Sequence, residues 1–197
     1  KKKIPAIISN KKIRNINTTQ FIVNNSDRAS SKLLEKLLPK KPIKTIAITG
    51  TNGKTSVAWY LAQFYKNSKI QTKMLGTLGY YKNHKKIHDT FLTTPSYEDL
   101  YQYAYEKKQN KFNFIFEASS HALSQNRLRN INVDIAAITN ITHDHLDYHK
   151  NISNYIRAKL LLFNKYLDYN GVAVLNSRLK NFSIINECFI KIIFYNF

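Results

Sequence analysis

Residues 44–56, Lys44-Thr45-Ile46-Ala47-Ile48-Thr49-Gly50-Thr51-Asn52-Gly53-Lys54-Thr55-Ser56, constrain the fold more than any other stretch of the chain. Ile46, Ala47 and Ile48 form a short apolar run of the kind a buried parallel strand needs. Two glycines, a lysine and a hydroxyl residue follow, and Val57-Ala58-Trp59-Tyr60-Leu61-Ala62-Gln63-Phe64 then reads as a helix. Strand, glycine turn, Lys-Thr and helix start are the parts of a phosphate-binding loop. Gly50 and Gly53 let the backbone bend with its N–H groups turned onto a polyphosphate. Lys54 reaches toward the β- and γ-phosphates, Thr55 offers a hydroxyl to Mg2+, and the positive helix end adds its dipole. The general G-x-x-x-x-G-K-[ST] pattern wants glycine where Ile48 stands, and here only Thr51 and Asn52 separate the two glycines. An ordinary glycine turn is the competing reading. The order of the parts favours a nucleotide triphosphate site.

Composition bounds the rest. A chain of 197 residues is long enough to bury a sizeable core. Its 43% hydrophobic content excludes a disordered polymer. No apolar run is long enough to span a bilayer and no signal peptide is visible, so the reading is cytoplasmic with no membrane partner. Cys188 stands alone, which rules out an intrachain disulfide and suits a reducing compartment. The net charge of +19 would attract any polyanion, nucleic acid included. The lysines are scattered rather than massed, so the charge says little about the partner, and no nucleic-acid partner is expected.

Taken in order, residues 1–41 read as the remnant of an N-terminal domain and a linker. A strand is expected over residues 20–23, with Asn24-Asn25-Ser26-Asp27 capping a helix whose apolar stripe is Ala29, Leu33, Leu34, Leu37 and Leu38. Pro39-Lys40-Lys41-Pro42 closes it, and a boundary is placed there, with residues 42–197 as the second unit. Strands are expected over 70–76, 112–116, 134–139 and 171–176, with one more possible over 190–195. A hairpin is expected around Lys82-Asn83-His84-Lys85-Lys86, with His84 and His88 as solvated surface residues. The fold class is therefore α/β, a mostly parallel sheet with flanking helices around a phosphate loop.

Several residues at strand ends invite chemistry, because ligands of open α/β sheets gather there. Thr93 and Thr94 precede Pro95 in a loop where a parallel strand hands over to a helix capped by Ser96, and ordinary turn chemistry explains them as well. Glu117 ends a strand beside the phosphate loop and could hold Mg2+, or be a surface glutamate. Gln125, Arg127 and Arg129 read as part of a short helix whose arginines could pair with carboxylate or phosphate. The densest ligand set is Asn140-Ile141-Thr142-His143-Asp144-His145-Leu146-Asp147-Tyr148-His149, which fits no common zinc cage and better suits a nucleotide-bound metal. An amphipathic helix is expected over 152–167. Lys159 lies within its apolar stripe, where a free ammonium is costly unless it snorkels to water.

Together these blocks resemble the Mur ligase family, ATP-dependent amide-bond-forming enzymes of peptidoglycan synthesis. Gly50 to Ser56 matches that family's shortened phosphate loop. Glu117-Ala118-Ser119-Ser120-His121-Ala122-Leu123, Asp144-His145-Leu146-Asp147-Tyr148-His149 and the run from Tyr155 through Ala158-Lys159 to Phe163 look like its UDP-N-acetylmuramyl-tripeptide synthetase (MurE-type) branch. The resemblance covers roughly residues 44–176. It implies that Gly50, Thr51, Asn52, Gly53, Lys54, Thr55, Ser56 and Asn140 bind ATP, and that Thr55, Glu117 and His145 hold Mg2+. It implies that Thr93, Thr94, Ser119, Gln125 and Arg127 hold UDP-N-acetylmuramoyl-dipeptide. Lys54, His145 and a carbamylated Lys159 are the implied catalytic groups.

The reaction so implied adds an amino acid, diaminopimelate or lysine, to UDP-N-acetylmuramoyl-L-alanyl-D-glutamate through an acyl phosphate, in a monomer. Measured against the family, the N-terminal domain is mostly missing and the C-terminal domain absent, so a fragment is expected. Residues 177–197 do not follow the family pattern. Competing assignments are a folylpolyglutamate synthase-like ligase, a basic nucleotide switch that binds nucleic acid, and an inactive remnant.

Overall fold

Strand β3 (Thr45–Thr49) is buried at all five positions. Parallel neighbours flank it on both sides, β7 (Asn113–Glu117) and β8 (Val133–Ile138). The chain is described here from a computed structural model, over residues 4–142, 144, 146–179 and 191–195. Beyond β7 lie β4 (Thr72–Gly76), β5 (Gly79–Lys82) and β6 (Lys85–His88); beyond β8 lie β9 (Leu167–Asn176) and β10 (Lys191–Tyr195). The sheet order is β10-β9-β8-β3-β7-β4-β5-β6, parallel except for the antiparallel hairpin of β5 and β6 at one edge.

Alternation along the strands assigns the layers. Ile46, Ile48, Met74 and Ile115 pack beneath Ala58 and Ala62 of helix α2 (Lys54–Asn67). Ala47, Phe114, Phe116, Ala136 and Ala173 face the opposite layer. That layer holds α3 (Tyr97–Ala104), α4 (Ser120–Ser124) and α6 (Ile152–Leu161), with the one-turn α5 (Leu146–His149) against α6. Small residues on α2 let it lie close to the sheet, so the phosphate loop is pinned at the carboxyl edge of β3.

Before the sheet, β1 (Ala6–Ser9) and β2 (Thr19–Ile22) form a separate parallel pair. Helix α1 (Ser26–Leu37) starts at Asn25, whose side chain accepts from Arg28 N. It is tied to the body by Arg129, which reaches Asp27 at 3.1 Å and Glu98 at 2.7 Å, and by Asn130 donating to Glu35. No helix among the described residues is long and apolar enough to cross a membrane.

The structure corrects several expectations. Strand β1 is additional. Gln125, Arg127 and Arg129 lie beyond α4, in a turn where Asn126 and Asn130 take positive φ of 56° and 50° and stop the helix. The expected helix over 152–167 ends at Leu161 and gives way to a π-helical turn, Leu162–Tyr166. The loop carrying Thr93 and Thr94 follows the antiparallel edge strand β6, yet it folds back to the carboxyl end of parallel β7 through Thr94. His84 is half-buried at positive φ rather than fully solvated, whereas His88 is exposed as expected and meets Tyr103 Oη at 3.3 Å.

Candidate functional site

The loop after β3 is braced from the end of β8. Thr51 N donates to Asn140 O at 2.9 Å, Asn52 N to Asn140 Oδ1 at 3.0 Å, and Asn140 Nδ2 returns to Asn52 O at 3.1 Å. Thr139 Oγ1 closes the clamp on Asn52 O at 2.6 Å. Gly50 sits at φ +139°, and a Cβ there would overlap Thr139 Oγ1. Gly53, at φ +82°, starts α2 with no side-chain cap, so the first amides of the helix are directed at the loop's concavity. Lys54 folds back over this cradle and donates to Gly50 O at 2.9 Å and Thr51 O at 2.8 Å. Burial pushes its pKa down, against the carboxylates of Glu117 and Asp144. Ser56 is exposed on the first turn of α2.

Glu117 ends β7 with 2% of its surface exposed, which removes the surface-glutamate alternative. Its Oε2 accepts from Thr55 Oγ1 at 2.8 Å and its Oε1 from Thr77 N at 2.8 Å. Gly76 is required beside it, since a Cβ there would overlap Glu117 Oε1. A hydroxyl and a carboxylate this close form a hard oxygen pair that suits Mg2+. Among the described residues no group of three or more His, Cys, Asp or Glu could hold a metal alone. His145 lies outside the described residues.

Lys159 is 1% exposed and does not snorkel. Its amine donates to Gly50 O at 2.7 Å and lies 4.4 Å from the Tyr155 ring centre. The Gly50 carbonyl is thus shared by Lys54 and Lys159. Burial, reinforced by the Lys54 charge and opposed by Asp144, pushes the Lys159 pKa down to about 7. An amine of that kind is substantially neutral, and so nucleophilic, near neutral pH.

Thr94, Ser119, Gln125 and Arg127 come together on the other side of Glu117. Thr94 Oγ1 donates to Glu117 O at 2.6 Å and accepts from Ser119 N at 3.0 Å. Arg127 Nη1 donates to Thr94 O at 2.8 Å, and its Nε donates to Gln125 Oε1 at 2.9 Å. Thr93 Oγ1 meets Thr77 Oγ1 at 3.1 Å. Glu117 therefore joins the two halves, its carboxylate facing the phosphate loop and its carbonyl the Thr94 cluster.

Sequence reasoning missed the clamp by Thr139, whose only signal was its place before Asn140 at a strand end. It also missed a cavity of about 560 Å³ beside the loop, lined by Ser56, Val57, Asn140, Asn176, Arg178 and Tyr195 among others. Nothing in the sequence links β9 and β10 to α2, so that cavity had no local signature.

Comparison with known proteins matches residues 48–196 to the Mur ligase middle domain. UDP-N-acetylmuramoyl-L-alanyl-D-glutamate--2,6-diaminopimelate ligase of Rickettsia conorii (strain ATCC VR-613 / Malish 7) is 40% identical over 169 residues, covering 84% of this chain and 35% of the relative. The chain thus spans about a third of the length of the curated relatives it matches. A solved structure of a UDP-N-acetylmuramoyl-L-alanyl-D-glutamate--2,6-diaminopimelate ligase superposes with a TM-score of 0.70 at 28% identity, over 97% of this chain and 40% of that one. MurF ligase from Thermotoga maritima, in complex with ADP, superposes with a TM-score of 0.64 at 18% identity, over 98% of this chain and 41% of that one, a likeness of fold alone.

Proposed function

Because this chain belongs to the Mur ligase family through its middle domain, we propose that it is the nucleotide-binding part of an ATP-dependent ligase. The reaction adds an amino acid to UDP-N-acetylmuramoyl-L-alanyl-D-glutamate. The observation that carries the reading is convergence: Lys54, Thr55, Glu117 and Lys159 all meet the backbone or side chains of one loop at the carboxyl edge of the sheet. In this reading residues 50–56 and Asn140 hold the triphosphate. Thr93, Thr94, Ser119, Gln125 and Arg127 hold the muramoyl-dipeptide, and residues 1–41 belong to a preceding domain.

Lys54 leaves Gly50 O and Thr51 O for the phosphates when ATP enters, exchanging two neutral acceptors for charged ones. Thr55 and Glu117 would hold Mg2+, which supplies charge neutralisation at the transferring phosphoryl group. A carboxylate oxygen of the dipeptide attacks the γ-phosphorus and ADP departs. The amine of the incoming amino acid then attacks the acyl carbon, phosphate leaves with the C–O bond pair, and the amine sheds a proton. The neutral Lys159 amine attacks CO2, forming the N–C bond as one C=O π pair moves onto oxygen and the surplus proton passes to water, so the group beside Lys54 becomes a carbamate anion and their interaction turns from repulsive to attractive. The protein positions and neutralises, and no side-chain nucleophile is needed. The reading includes diaminopimelate or lysine as the added amino acid, a monomeric cytoplasmic protein, and no nucleic-acid or membrane partner.

Calorimetric titration of the chain with Mg·AMPPNP, alone and with UDP-N-acetylmuramoyl-L-alanyl-D-glutamate, tests this. Micromolar nucleotide binding that is lost in Lys54→Ala is expected. Nucleotide heats unchanged by Lys54→Ala, or steeply salt-dependent binding to nucleic acid with no response to the muramoyl ligand, would overturn it.

A further inference from the structure

Between the two halves of the site lies a buried polar column that the chemistry above does not use. Ser120 Oγ and His149 Nε2 are 3.0 Å apart, with the two residues only 2% and 6% exposed. The His149 ring lies 5.3 Å from that of Tyr155, and Tyr155 Oη meets Thr51 Oγ1 at 3.1 Å. Thr51 Oγ1 in turn accepts from Thr142 N at 2.9 Å. At the other end, Ser120 follows Ser119, the N-cap of α4, whose amide is held by Thr94. The column therefore runs from the cluster around Thr94 to the second residue of the phosphate loop.

We propose that His149 is a positioning residue that locks the muramoyl-dipeptide loop to the nucleotide loop, so that the distance between the two substrates is set through Ser120, Tyr155 and Thr51. The proposal rests on the assignment of those two loops made above. A buried Ser–His contact could alternatively serve an acyl transfer, but at this burial no substrate carbonyl reaches Ser120 Oγ, so the pair holds rather than attacks. The hydrogen bonds at the two ends, Ser120–His149 and Tyr155–Thr51, resist sliding in low dielectric, because each partner left alone keeps its desolvation cost. The packed His149 and Tyr155 rings join these two bonds in the middle, where a close-packed interior leaves little room for one ring to shift past the other. His149 is well placed to transmit such a constraint. Its carbonyl accepts from Asn154 Nδ2 at 3.1 Å, which fixes α5 on the first turn of α6. The same helix carries Tyr155 and Lys159.

Hydrogen–deuterium exchange on the ligand-free chain gives a readout independent of activity. His149→Leu should speed exchange of the peptides around residues 50–53 and 118–121 by about tenfold or more, as expected for one lost buried hydrogen bond, while β3 stays protected. Ser120→Ala, with its smaller volume change, should do the same, and His149→Gln, which keeps a side-chain polar group, should recover most of the protection. Binding supplies the second arm. In wild type the muramoyl-dipeptide nucleotide should tighten Mg·AMPPNP by about fivefold or more, and in His149→Leu that factor should fall toward one. Faster exchange confined to residues near 149, or equal coupling in wild type and His149→Leu, overturns the proposal. If wild type binds neither ligand, the function proposed above fails with it, whatever the exchange pattern.

Discussion

Replacing Lys159 with methionine removes the amine and keeps most of the apolar stem. In the unfolded chain a lysine holds its proton to about pH 10.4, whereas in the fold burial and Lys54 bring that value to about 7. Between those two pH values the unfolded state binds one more proton than the folded state, so wild-type stability rises with pH. Below the folded value both states are protonated and the full cost of the buried charge is present. Going from about pH 6 to about pH 10 therefore removes roughly 4 kcal/mol of that penalty, at about 1.4 kcal/mol per unit. Lys159→Met lacks the titration, and its lost bond to Gly50 O costs about 1 kcal/mol at every pH as a constant offset. Thermal melts of both proteins in CO2-free buffer should show the mutant gaining on wild type as pH falls, by roughly 8–16 °C across the range for a chain of this size. A difference between the two proteins that stays flat with pH would refute the reasoning, because the amine would then carry no buried charge.

Three further perturbations separate the parts of the site. Gly50→Ala should lose nucleotide binding and about 3 kcal/mol or more of stability in melts, since positive φ and overlap with Thr139 act together. Glu117→Gln should leave melting of the free chain within a few degrees, yet lower the Mg2+-dependent part of AMPPNP affinity by about 10–100-fold in titrations. Arg127→Lys breaks a planar fork between Thr94 O and Gln125 Oε1. It should weaken the muramoyl ligand about tenfold and leave nucleotide affinity unchanged, as read by calorimetry with each ligand.

Much of the frame was legible from local pattern. The run Ile46-Ala47-Ile48, the two glycines and Lys54 had to be strand, turn and helix start, because few backbone conformations accommodate that order. The same holds for the strands ending at Glu117 and near Thr139. Element ends were less legible: the turn at Asn126 and the π-helical turn after Leu161 depend on left-handed backbone and on packing against β8 and β9. The clamp of Asn140 on Asn52 joins residues 88 positions apart, and no local signal marks it.

What the sequence alone determined is the inventory: an α/β chain with a shortened anion-binding turn, and acidic, hydroxyl and amine groups at strand ends. The three-dimensional packing decided the electrical state of that inventory. Lys159 is an ordinary snorkelling lysine by pattern and a buried amine by structure, because α6 is bonded to the loop after β3 through Tyr155 and Lys159, and Gly50 O gives its Nζ a partner away from water. Sequence lists which charges exist. Only the fold sets how far each stands from water and from the others, and that distance governs their chemistry.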